Sequence, residues 1–117
     1  MCSSDLAEIE VHREMGPGLL ESAYEDCLCH ELSLRGIRFQ RQLEMPVKYK
    51  GVQLDCGYRI DLLVEETLVL ELKSVEAIAP IHKAQLLTYL RLSQKQVGLL
   101  LNFNVLVLKD GLVRMVL

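Results

Sequence analysis

Residues 58–74 constrain the fold of this chain more than any other stretch. Tyr58-Arg59-Ile60-Asp61-Leu62-Leu63-Val64 and Leu68-Val69-Leu70-Glu71-Leu72-Lys73-Ser74 read as two strands, and the polar break Glu65-Glu66-Thr67 suits a hairpin loop. If the loop is those three residues, Val64 faces Leu68, and counting back along both strands sets Asp61 opposite Glu71. Side chains alternate faces along a strand, so Glu71 and Lys73 share one face while Leu70 and Leu72 take the other. Two carboxylates and an ammonium thereby converge on one patch of an otherwise apolar sheet. Charges taken out of water cost free energy unless something polar sits opposite them, so the patch asks for a site. The register carries this expectation, because a slip of one residue sends Asp61 to the other face.

The 117 residues suit a single domain spanning 1–117, and 50% hydrophobic content is ample for one core. With 5% aromatic residues and no Trp, that core is built mainly from Leu, Val and Ile, and base stacking has few rings to work with. The formal net charge of −3 gives the molecule no overall pull on nucleic acid, so any such binding needs a local patch or bound cations. Arg35, Arg38, Arg41, Lys48 and Lys50 do concentrate positive charge, although a solvated helix end and strand rim is the more ordinary reading of them. Cys2, Cys27, Cys29 and Cys56 form no Cys-x-x-Cys pair and have no His at zinc-finger spacing. The N-terminus is charged and no apolar run approaches the roughly twenty residues of a membrane span. Reduced thiols in a cytoplasmic, non-membrane protein are expected.

Along the chain, Leu6, Ile9, Val11 and Met15 among charges predict a short helix over Asp5–Met15, stopped by Gly16-Pro17-Gly18. Leu20, Tyr24, Leu28 and Leu32 predict a second helix from Leu19 to about Arg35, ended at Gly36. Glu21 and Tyr24, three apart, share one face of it, and Glu21 in the first turn also suits the helix dipole. Ile37–Met45 and Val47–Lys50 read as a strand and its continuation beyond a bend at Pro46. Pro80 opens a third helix over Ile81–Leu92, with His82, Gln85 and Tyr89 in a polar line. Gln96–Phe103 is a strand apolar enough to be buried on both faces, and Lys109-Asp110-Gly111 predicts a terminal hairpin between Val105–Leu108 and Leu112–Leu117. The order of elements predicts an α/β fold.

Paired carboxylates are what a hard divalent ion such as Mg²⁺ takes as ligands, and a lysine one pleat away suits charge developing on a phosphate. A buried Glu–Lys ion pair without catalysis would leave the same trace. Asp61 followed by Glu71-Leu72-Lys73 resembles the bipartite Asp…Glu-x-Lys signature of the PD-(D/E)xK nuclease superfamily, with Ile60 where the name has proline. Gly18-Leu19-Leu20-Glu21-Ser22-Ala23-Tyr24 is similar to the signature of its small GxxExxY branch, and Gln85-Leu86-Leu87-Thr88-Tyr89 to a Gln-x-x-x-Tyr helix motif of exonuclease-like branches. The resemblance runs from about Val11 to the end of the chain. It implies a restriction-endonuclease-like core, a central mixed β-sheet flanked by helices, and a nuclease cleaving DNA, or RNA in second place, with Mg²⁺ or Mn²⁺. It assigns Asp61, Glu71, Glu21 and the carbonyl of Leu72 to the metal, and Asp61, Glu71, Lys73 and Glu21 to catalysis. Gln85, Tyr89 and Tyr24 would meet the substrate. The alternative is a non-catalytic nucleic-acid-binding or protein-interaction module of the same fold. A domain this small commonly needs a second copy, as a homodimer, to grip a duplex.

Overall fold

A computed structural model describes residues 3–117. Two helices, α1 (Ser3–Met15) and α2 (Glu21–Leu34), precede β1 (Phe39–Glu44), β2 (Val47–Tyr49), β3 (Val52–Leu54), β4 (Arg59–Val64) and β5 (Leu68–Lys73). Helix α3 (Pro80–Ser93) then leads to β6 (Val97–Asn102), and a 3-10 turn at Leu108–Gly111 leads to β7 (Leu112–Val116). The main sheet has the order β1-β4-β5-β6-β7. Only β5 and β6 run parallel, as a connection through α3 requires; the other neighbours are antiparallel. The sheet is therefore mixed and helices cover both faces, as expected for a restriction-endonuclease-like core.

The face of each strand follows from its apolar alternation. Leu70 and Leu72 of β5 join Ala7, Val11, Tyr24, Leu28 and Leu32 in a core beneath α1 and α2. Val69, Leu100 and Leu63 turn to the opposite face and pack under Leu86, Tyr89 and Leu90 of α3. Glu71 falls between Leu70 and Leu72 and so points toward the α3 side, which separates it from the larger core.

Strands β1 and β4 depart from this alternation at one place. Phe39 packs with the α1–α2 core and Leu43 with the α3 core, although residues four apart share a face in a regular strand. In β4, Leu62 and Val64 join the first core while Ile60 joins the second. The pairing passes from Arg41↔Leu62 to Leu43↔Ile60 with no ladder pair between, and the intervening Gln42 has φ 53. A left-handed residue opposite Asp61 turns the two strands over together.

Two sequence expectations are corrected. Val47–Lys50 does not continue β1: β2 pairs with β3 in a separate two-stranded sheet, Val47↔Leu54 to Tyr49↔Val52. Pro46 has no N–H to extend the main ladder, and Lys50 and Gly51, with φ 48 and 80, close a tight turn instead. The terminal hairpin is also placed differently. Val105–Val107 is irregular, Lys109-Asp110-Gly111 lies in the 3-10 turn, and β7 pairs with β6, Leu101↔Leu112 to Val97↔Val116. A Cβ at Gly111 would run into the carbonyl of Asn102, so this turn packs directly on the end of β6. Among the described residues Cys27, Cys29 and Cys56 are free thiols, while Cys2 lies outside them. No described helix is long and apolar enough to cross a membrane.

Candidate active site

The backbone ladder between β4 and β5 runs from Val64↔Leu68 to Leu62↔Leu70. One residue further, side chains take over the bonding. The Asp61 N–H donates to Glu71 Oε1 at 3.1 Å, and the Leu72 N–H donates to Asp61 Oδ2 at 2.8 Å. Each carboxylate thus satisfies a main-chain donor that the ladder leaves free, and Asp61 stands opposite Glu71 as the three-residue loop dictates.

Burial sets the electrostatics of the pair. Glu71 is 5% exposed, and desolvation first, with the Asp61 charge second, pushes its carboxyl up to about 8. Asp61 is half-buried and also raised by desolvation, while the Leu72 N–H pulls it back. The Lys73 ammonium favours the charged form of both. Among the described residues Lys73 makes no ion pair within 4.0 Å, so its charge acts on the pair without being tied to either member. Two close carboxylates of which one holds its proton to near neutrality are a pair short of positive charge.

The donors fit a hard divalent cation. They are oxygens, and no described hydrogen bond engages Glu71 Oε2. Among the described residues no group of three or more His, Cys, Asp or Glu side chains gathers as a ligand set. Asp61, Glu71 and the Leu72 carbonyl would leave the remaining positions to water, as Mg²⁺ prefers. Glu21 is exposed on the wall of a small cavity of about 180 Å³ that Ser22, Glu25, Gln42, Asp61 and Leu72 also line. Glu21 thus shares the cavity with Asp61 and not with Glu71, and no three-carboxylate cluster forms among the described residues.

Helix α3 supplies the other flank. Gln85 Nε2 donates to the Tyr89 hydroxyl at 3.0 Å, and burial followed by the Glu71 charge raises the Tyr89 phenol. The predicted polar line of α3 therefore borders the carboxylates through Gln85 and Tyr89. His82 turns away from this role: its Nδ1 accepts the Ala79 N–H at 2.9 Å and caps the helix. Ser74 and Asn102 hold the exit of β5. Ser74 Oγ donates to the Leu19 carbonyl at 2.9 Å, and Asn102 Oδ1 and Nδ2 bond the Val75 N–H and carbonyl.

Tyr24 is the correction among the expected substrate contacts. It is fully buried, its ring stacks on Phe103 at 4.4 Å, and its hydroxyl donates to the Gly16 carbonyl at 2.5 Å and accepts the Leu19 N–H at 3.1 Å. It pins the connection between α1 and α2 and has no surface left for a substrate.

Glu25 and Gln42, which the sequence did not single out, join the site, together with Arg41, which the sequence marked only as part of a positive patch. Glu25 accepts from Arg41 at 2.7 Å and from Gln42 at 2.6 Å, and Gln42 Nε2 lies 3.4 Å from Asp61 Oδ1. Glu25 follows Glu21 by four residues on α2, a spacing that would have found it. A wider cavity, of about 560 Å³, opens instead at the loop end of the β4–β5 hairpin, between Val64, Leu68, Val97 and Arg114. It contains neither Asp61 nor Glu71, and the charged cluster decides the site.

The family model described as the PD-(D/E)XK nuclease superfamily matches residues 5–115. No curated protein and no solved structure matches the chain.

Proposed function

The chain belongs to the PD-(D/E)XK nuclease superfamily, whose model spans nearly all of it, and from that premise we propose a divalent-cation-dependent phosphodiesterase that hydrolyses DNA, with RNA the second substrate. The observation that carries this reading is the crossed pair of bonds at the end of the β4–β5 ladder, Asp61 N–H to Glu71 and Leu72 N–H to Asp61, which holds two desolvated carboxylates beside Lys73. Asp61, Glu71 and the Leu72 carbonyl would hold Mg²⁺ or Mn²⁺, which when bound neutralises phosphate charge and lowers the pKa of a coordinated water. In hydrolysis a water oxygen bonds to phosphorus, the bridging P–O bond breaks, and the leaving oxygen takes up a proton.

The chain's own groups serve that reaction from three sides. Lys73 stabilises the negative charge that grows on the phosphoryl oxygens. Gln85 and Tyr89 meet the substrate from the α3 side, and Glu21 faces the centre from the cavity rim. The Gly18…Glu21…Tyr24 pattern supports membership of the GxxExxY branch, and the extent of the family match supports a single domain over 1–117. Reduced thiols fit the cytoplasm, and a second copy would let so small a domain grip a duplex.

The test is cleavage of single- and double-stranded DNA and RNA by purified protein with Mg²⁺, Mn²⁺ or EDTA. We expect metal-dependent cleavage that falls by about 10²–10⁴-fold in Asp61→Ala and Lys73→Ala. Cleavage unchanged by both substitutions sinks the reading, and salt-sensitive binding without cleavage of any substrate supports the non-catalytic module instead.

A further inference from the structure

The geometry points to Gln42 as a positioning residue for Asp61, oriented by Glu25; the inference rests on the reading of Asp61 as a cation ligand. Gln42 sits across from Asp61 by count, yet the two form no ladder pair and Gln42 has φ 53. A residue with a side chain enters that region at a cost, and the surroundings must hold it there. What the conformation achieves is the delivery of one amide between two carboxylates. Gln42 Nε2 donates to Glu25 Oε1 at 2.6 Å and lies 3.4 Å from Asp61 Oδ1, the second contact being the longer and weaker.

The chemistry of the partners settles which way the amide points. An ionised carboxylate only accepts, so Glu25 demands the NH₂ end of Gln42, and that end has one N–H for each carboxylate. Glu25 is itself held, since Arg41 donates to its Oε2 at 2.7 Å and to Asp26 at 2.6 Å. With Leu72 N–H on Oδ2 and Gln42 on Oδ1, both oxygens of Asp61 have a fixed partner, and each keeps lone-pair capacity for a cation. Partners of this kind orient a ligand without touching the metal, and their removal typically weakens binding by 10–100-fold.

The test uses Gln42→Asn, which tolerates the left-handed conformation but is one methylene short of spanning both carboxylates, and Gln42→Gly, which removes the amide without backbone strain. In the metal-free wild-type protein, the two Gln42 side-chain amide protons should give separate NMR signals, both protected from solvent exchange. Those signals should move in Asp61→Asn. By calorimetry, Mn²⁺ should bind about tenfold more weakly to both Gln42 variants while their urea midpoints stay near wild type. Rapidly exchanging amide protons in the wild type, or Mn²⁺ affinity unchanged in both variants, overturns the assignment. If wild-type protein binds no Mn²⁺, the nuclease reading fails, and the amide signals still decide whether Gln42 holds Asp61.

Discussion

Glu8 is the residue the fold accommodates least comfortably. Its side chain in α1 is fully buried, neither carboxylate oxygen has a hydrogen-bond partner among the described residues, and desolvation first, then the Asp5 charge, pushes its carboxyl up to about 8. An acid whose folded pKa is raised binds its proton more tightly when folded. Its contribution is therefore fully present below the unfolded value near 4.5 and is lost as pH rises toward 8. The loss amounts to roughly 1.4 kcal/mol per pH unit across that window. Glu8→Gln should remove it, so the urea midpoint of the variant should overtake wild type progressively between pH 5 and pH 8 as an order-of-magnitude window; parallel midpoint curves would refute the assignment. Asp61 and Glu71 were legible from sequence because a three-residue loop fixes the register of a hairpin, and register fixes who faces whom. Gln42 was not, because its role depends on a left-handed conformation that nothing in Arg41-Gln42-Leu43 announces. Tyr24 misled for a related reason: spacing puts it on the face of Glu21 but does not tell whether that part of the helix meets solvent or Phe103.

Among the elements, the β2–β3 hairpin stands apart from both cores. Tyr49, Val52 and Leu54 are exposed, and among the described residues its strands pair only with each other. At its root the Met45 N–H donates to the Tyr58 carbonyl at 2.8 Å, which continues the β1–β4 register one step beyond Glu44↔Arg59. Residues 46–57 should therefore be removable. Joining Met45 to Tyr58 through an Asn-Gly turn, which suits a two-residue hairpin, should leave the far-UV circular dichroism of the main sheet and a single cooperative urea transition. The stability change should stay within about 1 kcal/mol, since little apolar surface is lost from either core. Loss of cooperative unfolding would mean that the hairpin supports the sheet. The same independence explains why sequence reading joined Val47–Lys50 to β1: three-residue strands exposed on nearly every position carry no burial alternation to mark a separate sheet. The helices were readable because each buries one apolar face, and β4 to β6 because they are apolar runs buried along most of their length, whereas the Asp-Gly signal at Asp110-Gly111 fits a 3-10 turn as well as a hairpin.

At the scale of the molecule, the site works against the stability of the fold that carries it. A chain of net charge −3 keeps Glu71 buried beside Asp61, where ionisation is opposed by desolvation and by the neighbouring charge. Raised to about 8, Glu71 adds stability that is present at low pH and lost as the pH approaches that value. Glu71→Gln keeps the shape and removes the charge, so at pH 8, taken as roughly the folded pKa, the metal-free variant should be at least as stable as wild type. A cation that binds the folded state alone reverses the order. At a hundred times its dissociation constant it adds about 2.7 kcal/mol, or roughly 10 °C in Tm for a domain of this size. Thermal unfolding of both proteins, with Mn²⁺ and with EDTA, should then show a large Mn²⁺ increment for wild type and a much smaller one for Glu71→Gln. An equal increment in the two would place the cation elsewhere, and a variant less stable than wild type in EDTA would make Glu71 a structural residue. The expected crossing, a metal-free variant that matches or exceeds wild type and falls behind once Mn²⁺ is added, is the signature of a carboxylate retained for what it binds.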